Sequence, residues 1–99
     1  MYNNDLNGYF RLSMQSALLG SITPNIRAVI GFFYDKKIVI DFYFDGVISE
    51  DDEELASEVG TEVIADFESE FDIEIKTIRL DYPKPVKNKD GFLLFLRKE

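Results

Sequence analysis

The sequence predicts an α+β fold of order α-β-β-α-β-β, a four-stranded, mainly antiparallel sheet with two helices packed on one face. Three observations carry this. Apolar residues recur at helical spacing around residues 6–19 and 50–69, they alternate with a period of two around 26–34, 38–44 and 71–80, and the run 92–96 is apolar throughout.

The first helix is read from Leu6, Phe10, Met14, Ala17 and Leu18, which fall on one face. Asp5 stands where an N-cap belongs, Gly20 suits the left-handed residue after the helix, and Pro24 prevents a restart. Two strands joined by a tight turn at Asp35-Lys36-Lys37 come next. Their alternation sets Ile26, Ala28, Ile30, Phe32 and Tyr34, with Ile38, Ile40, Phe42 and Phe44, toward the core. Val29, Phe33, Val39 and Tyr43 are then left on a second face that is greasy for solvent, so it is either half covered or an interface.

Ser49 with Asp52 three residues on resembles a capping box and opens the second helix. Leu55, Ala56, Val59, Gly60, Val63, Ile64 and Phe67 form its apolar stripe, and the spacing carries it to about Ser69. In the third strand Phe71, Ile73 and Ile75 share a parity that Ile78 and Leu80 break, which calls for a bulge or a change of buried face. The segment from Tyr82-Pro83-Lys84-Pro85 to Gly91 reads as a loop. Phe92 to Leu96, apolar at every position, reads as a strand covered on both faces or placed centrally.

At 99 residues the chain is expected to form a single domain, 1–99, and nine Phe and five Tyr within a 45% hydrophobic composition can fill its core. The absence of cysteine excludes disulfide and thiolate chemistry, and the absence of histidine removes the commonest zinc ligand. No basic, apolar leader opens the chain and no run reaches the roughly 18 apolar residues of a membrane span, so a cytoplasmic protein is expected.

The formal charge of −8 is unevenly placed. Residues 38–75 hold fourteen of the nineteen acids and no Lys or Arg, whereas residues 76–99 hold seven bases against three acids. Such a field repels nucleic acid and anionic membranes over a Debye length of about 8 Å and attracts basic surfaces. The expected partner is a basic protein, with no direct contact to nucleic acid or membrane.

Reaction chemistry finds little support. Glu50-Asp51-Asp52-Glu53-Glu54 lacks the loop pattern and central glycine of a calcium site, and acids in a first helical turn are favoured by the helix dipole alone. Asp41 and Asp45 share a strand parity but have no concave site of fixed width between them, and the serines have no histidine base. No catalytic residue, cofactor or metal is expected.

The ladder Glu54, Glu58 and Glu62, with Asp51 at the helix start, is the most informative feature. Like charges four apart cost about 0.2–0.5 kcal/mol per pair, so a helix built only for stability would place Lys or Arg among them. The alternative reading is a solvated face that keeps the protein soluble. The expected contact surface is Asp51, Glu54, Glu58 and Glu62 with the adjoining strand residues Asp41, Tyr43 and Asp45; Tyr43, Phe33 and Tyr82 are the candidate aromatic anchors.

Five segments carry a resemblance: Tyr9-Phe10-Arg11-Leu12-Ser13-Met14-Gln15, Ala17-Leu18-Leu19-Gly20, Ile22-Thr23-Pro24-Asn25, Phe42-Tyr43-Phe44-Asp45-Gly46 and Ile48-Ser49-Glu50-Asp51-Asp52. Together they resemble small bacterial proteins that include immunity proteins of contact-dependent growth inhibition (CDI). The similarity runs to about Pro85 and is poorest over Val86 to Asp90. It implies stoichiometric, non-catalytic neutralisation of a toxin domain, often a nuclease, and transfers no site residue. A homo-oligomeric structural or adaptor domain, for instance a homodimer pairing through the outer sheet face, is the alternative from a different class.

Overall fold

A computed structural model of the chain describes residues 6–87 and 90–99 and the side chains from Gly8 onward. The Asp5 cap therefore lies outside the described residues. Helix α1 spans Leu6–Leu18, and Gly20, at φ 77°, takes the left-handed conformation expected after its end. Strands β1 (Ile26–Tyr34) and β2 (Lys37–Phe44) pair antiparallel, with Tyr34 opposite Lys37 and a two-residue turn whose Asp35 sits at φ 54°. Helix α2 spans Glu50–Ala65, β3 Asp72–Arg79 and β4 Phe92–Leu96.

The sheet order is β3-β2-β1-β4. β1 is antiparallel to both its neighbours, while β2 and β3 run parallel, because α2 carries the chain back along the sheet before β3 begins. The sheet is thus mixed and mostly antiparallel.

Both helices lie on one face. Gly31 and Gly60 show how closely: a Cβ on Gly31 would sit 2.6 Å from Cζ of Phe10 in α1, and one on Gly60 would sit 2.7 Å from Cγ1 of Ile75 in β3. Under the helices Ile38, Ile40, Phe42 and Phe44 of β2 meet Phe10, Met14, Val59 and Val63. Phe33 stacks on Phe10 at 5.5 Å between ring centroids and on Phe71 at 6.1 Å.

The parity expected for β1 is reversed over most of its length. Ile26 pairs with Phe44 but Ala28 pairs with Tyr43, so Arg27 is the extra residue of a bulge, and beyond it Val29, Gly31 and Phe33 face the helices. Ala28, Ile30, Phe32 and Tyr34 take the outer face with Val39, Asp41 and Tyr43. Both parities of β1 are apolar, so hydropathy did not discriminate; the close approach of α1, which only a glycine at 31 admits, decides.

No bulge occurs in β3, whose register with β2 runs unbroken from Asp72 to Arg79; instead Ile78 lies on the outer face beside Tyr43. The expectation for residues 92–96 is also corrected. β4 is an edge strand, with Leu93 and Leu96 exposed on the outer face. A run apolar at every position arises here because Phe92, Leu94 and Phe95 pack toward the helices across a second bulge. α2 likewise stops at Ala65, short of Ser69, where the N–H groups of Asp66 and Phe67 turn to the carbonyls of Val63 and Ile64, three residues back, and leave Phe67 and Phe71 to plug the core from a loop.

The connection from β3 to β4 must pass from one edge of the sheet to the other. Among its described residues, Tyr82 lies under the Arg27 guanidinium, 5.7 Å from ring centroid to Cζ, and Gly91 lies against Ile30 and Phe32. On the outer face Ala28, Ile30, Val39 and Asp41 are all buried.

Candidate partner-binding surface

Ser49 begins α2 with a reciprocal cap: its hydroxyl accepts from the Asp52 N–H at 3.1 Å, and the Asp52 carboxylate accepts from the Ser49 N–H at 3.0 Å. Asp does here what Glu or Gln does more often. The same Asp52 oxygen accepts from Asn25 Nδ2 at 3.0 Å, which ties the helix start to the segment before β1. Glu50, Asp51, Asp52 and Glu53 fill the first turn, where the helix dipole favours them.

Ala56, Val59, Gly60 and Val63 turn inward, so the 3.6-residue period turns Asp51, Glu54, Glu58 and Glu62 outward; Glu54, Glu58 and Glu62 are exposed and Asp51 stands with them at the helix start. Among the described residues none of the four makes an ion pair. The bases pair elsewhere: Lys36 with Glu70, Lys37 with Glu74, Arg79 with Asp81, and Arg97 with Asp45. Arg27 and Arg97 both hold Glu99. The arginines of the C-terminal third thus leave the α2 row alone.

The other three residues expected at the contact do not join this row. Asp41 and Tyr43 lie on the outer sheet face, across the sheet from α2. Asp41 is 8% exposed, its Oδ1 has no hydrogen-bond partner among the described residues, and burial pushes its carboxyl upward against the opposing pull of Lys76. Tyr43 is half-buried, and burial with the Asp41 charge raises its phenol. Asp45 is a clasp: one carboxylate oxygen accepts from Arg97 Nη2 at 3.0 Å and the other from the Tyr82 N–H at 3.1 Å, and the Arg97 contact holds its carboxyl below the usual range. Of the anchor candidates, Phe33 is on the core side while Tyr82 is exposed.

Sequence reasoning passed over two clusters. One is Arg27, only 2% exposed, which donates from Nε and Nη2 to the two carboxylate oxygens of Glu99 at 2.7 and 2.9 Å and from Nη1 to the Leu80 carbonyl at 2.6 Å. This bidentate pair draws Glu99 down to about 2 and fastens the end of the chain beneath β1. An arginine inside an apolar strand was its visible signal. The other is the cleft between α1 and α2, about 290 Å³, where Ser13 Oγ donates to Asp66 Oδ2 at 2.6 Å beside Ser16 and Glu62.

Among the described residues no group of acids could hold a metal ion, and no helix is long and apolar enough to cross a membrane. What the fold defines is a small α+β domain that presents an acidic helix. The chain belongs to the MafI2 immunity protein family, whose model matches residues 7–99. The match takes in the C-terminal part where the resemblance was poorest, and it corrects the system, since MafI is a different toxin system from CDI. No curated protein matches the chain.

Proposed function

We propose that this immunity protein neutralises a basic toxin domain by stoichiometric, non-catalytic binding through the outward face of α2, with Asp51, Glu54, Glu58 and Glu62 as its charged contacts. One observation carries the reading: four carboxylates on the outward side of one helix stand without an ion pair among the described residues, while Lys36, Lys37, Arg79 and Arg97 pair with other acids. A row held unneutralised at a cost to its own helix is suited to a cationic surface supplied from outside.

A nuclease fits as the toxin, because clefts that hold nucleic acid are lined with Lys and Arg, and a carboxylate row can occupy the place of phosphates. The encounter takes place in the cytoplasm, where such a toxin would find its substrate. Asp41 and Tyr43 lie on the outer sheet face, across the sheet from α2, and Asp45 holds Arg97 in place.

The test is protection in cells. Co-expression of the cognate toxin domain with the unaltered protein should restore growth, and the triple variant E54K/E58K/E62K, shown to be folded by circular dichroism, should not. Full protection by the triple variant would remove the α2 row from the mechanism.

A further inference from the structure

Charge complementarity speeds association and sets specificity, but a tight protein interface also needs desolvated apolar anchors, and the α2 row has none of its own. Helix α1 supplies them. Leu12 is 66% exposed and Leu19, just past the helix end, 80% exposed. Leu12 lies on the outward side of α1, and Leu19 follows at its C-terminal end. Phe10, Met14 and Ala17 point the opposite way into the core, so Leu12 and Leu19 form the crest of α1.

On one flank of this crest is an apolar groove of about 490 Å³ between the end of α1 and β4, walled by Leu18, Leu19, Ile22, Leu94 and Phe95. On the other flank is the α1–α2 cleft, and its far wall is Glu62, the last member of the acidic row. Apolar crest and carboxylates are therefore one continuous surface. Arg11, next to Leu12 in the sequence, has its guanidinium over the Phe92 ring at 5.9 Å.

We infer that the crest of α1, with the groove beside it, is the apolar half of the toxin contact, and that it receives a large aliphatic or aromatic side chain of the toxin flanked by Lys or Arg that reach Glu58 and Glu62. This rests on the function proposed above and names the anchor which that reading lacks. Charge selects the occupant. A second copy of this chain would bring its own acidic row and a net charge of −8 to the same surface, so self-pairing there is repelled, whereas a basic partner is attracted.

The experiment measures binding of the catalytically inactivated cognate toxin domain to the unaltered protein, to Leu12→Ser/Leu19→Ser and to Glu58→Lys/Glu62→Lys. Both leucines are exposed, so the first variant should keep its fold, checked by its unfolding temperature. The leucine variant should weaken Kd at least about tenfold, through faster dissociation and independently of salt. The charge variant should slow association and flatten its salt dependence. If the leucine variant binds within about twofold of the unaltered protein while the charge variant is impaired, the crest is not the anchor and the acidic-face reading stands alone. If the unaltered protein does not bind at micromolar concentration, both fall. Sedimentation showing a dimer of the unaltered protein that the leucine variant abolishes would make a second copy the occupant and overturn the inference.

Discussion

Glu58→Lys separates a binding surface from a solubilising one, because the two readings assign it different combinations of effects. Glu58 lies four residues from both Glu54 and Glu62 on an exposed helix face, and none of the three has an ion pair among the described residues. Each like-charge pair costs about 0.2–0.5 kcal/mol, and each opposite pair contributes a similar amount of the other sign. The substitution turns two repulsions into two attractions. The pairwise swing is about 1–2 kcal/mol, nearer 1 after solvent screening of exposed groups. For a domain of this size that raises the unfolding temperature by about 4–8 °C. The gain should shrink as salt is raised toward about 1 M, where the Debye length falls to about 3 Å. Toxin binding should move the opposite way, weakening at least about tenfold, as a cation at the centre of the row meets cations on the partner. The assay pairs thermal unfolding at low and high salt with titration of the inactivated toxin domain. A more stable variant with unchanged affinity would show that the row only keeps the protein soluble. A variant less stable than the unaltered chain would show that Glu58 is engaged within the fold, and the premise of an unpaired row would be wrong.

Gly31→Ala places a Cβ 2.6 Å from Cζ of Phe10 and 3.0 Å from Cδ1 of Leu94, so α1 must shift, and urea unfolding should register a loss of about 1–3 kcal/mol. Burial raises the folded-state carboxyl of Asp41, so its contribution favours the fold below the ordinary aspartate range and is lost as pH rises through the raised value; Asp41→Asn should stabilise the protein at neutral pH, with the gain fading on acidification when unfolding temperatures are compared across pH. Glu99 has the opposite sign: hydrogen-bonded by Arg27, it is drawn down to about 2, so its contribution is present above the ordinary glutamate range and lost as pH falls through about 2. Glu99→Gln should therefore lower the unfolding temperature at neutral pH, with the deficit closing as the solution approaches the lower value.

Much of the molecule was legible in the residues themselves. The order α-β-β-α-β-β follows from runs whose period is set locally, by 3.6 residues in a helix and two in a strand, and Ser49 with Asp52 announced the start of α2 because a cap is a contact within one turn. Outward exposure of Glu54, Glu58 and Glu62 was implied by the same periodicity. Faces, edges and ion pairs were not. Gly31 and Phe10 meet across 21 positions of chain, Asp45 meets Arg97 across 52 and Arg27 meets Glu99 across 72, and no local pattern encodes those meetings. The bulge at Arg27 turned Val29 and Phe33 to the helices, while Asp41 and Tyr43 kept the outer parity that the alternation of β2 gives them, on the far side of the sheet from the acidic row. The all-apolar run Phe92 to Leu96 became an edge strand that pairs with β1 alone, and one of its faces packs under α1 while the other stays open. Hydropathy along a chain reports which residues share a face; which face is covered, and by what, depends on the distant segments that fold against it.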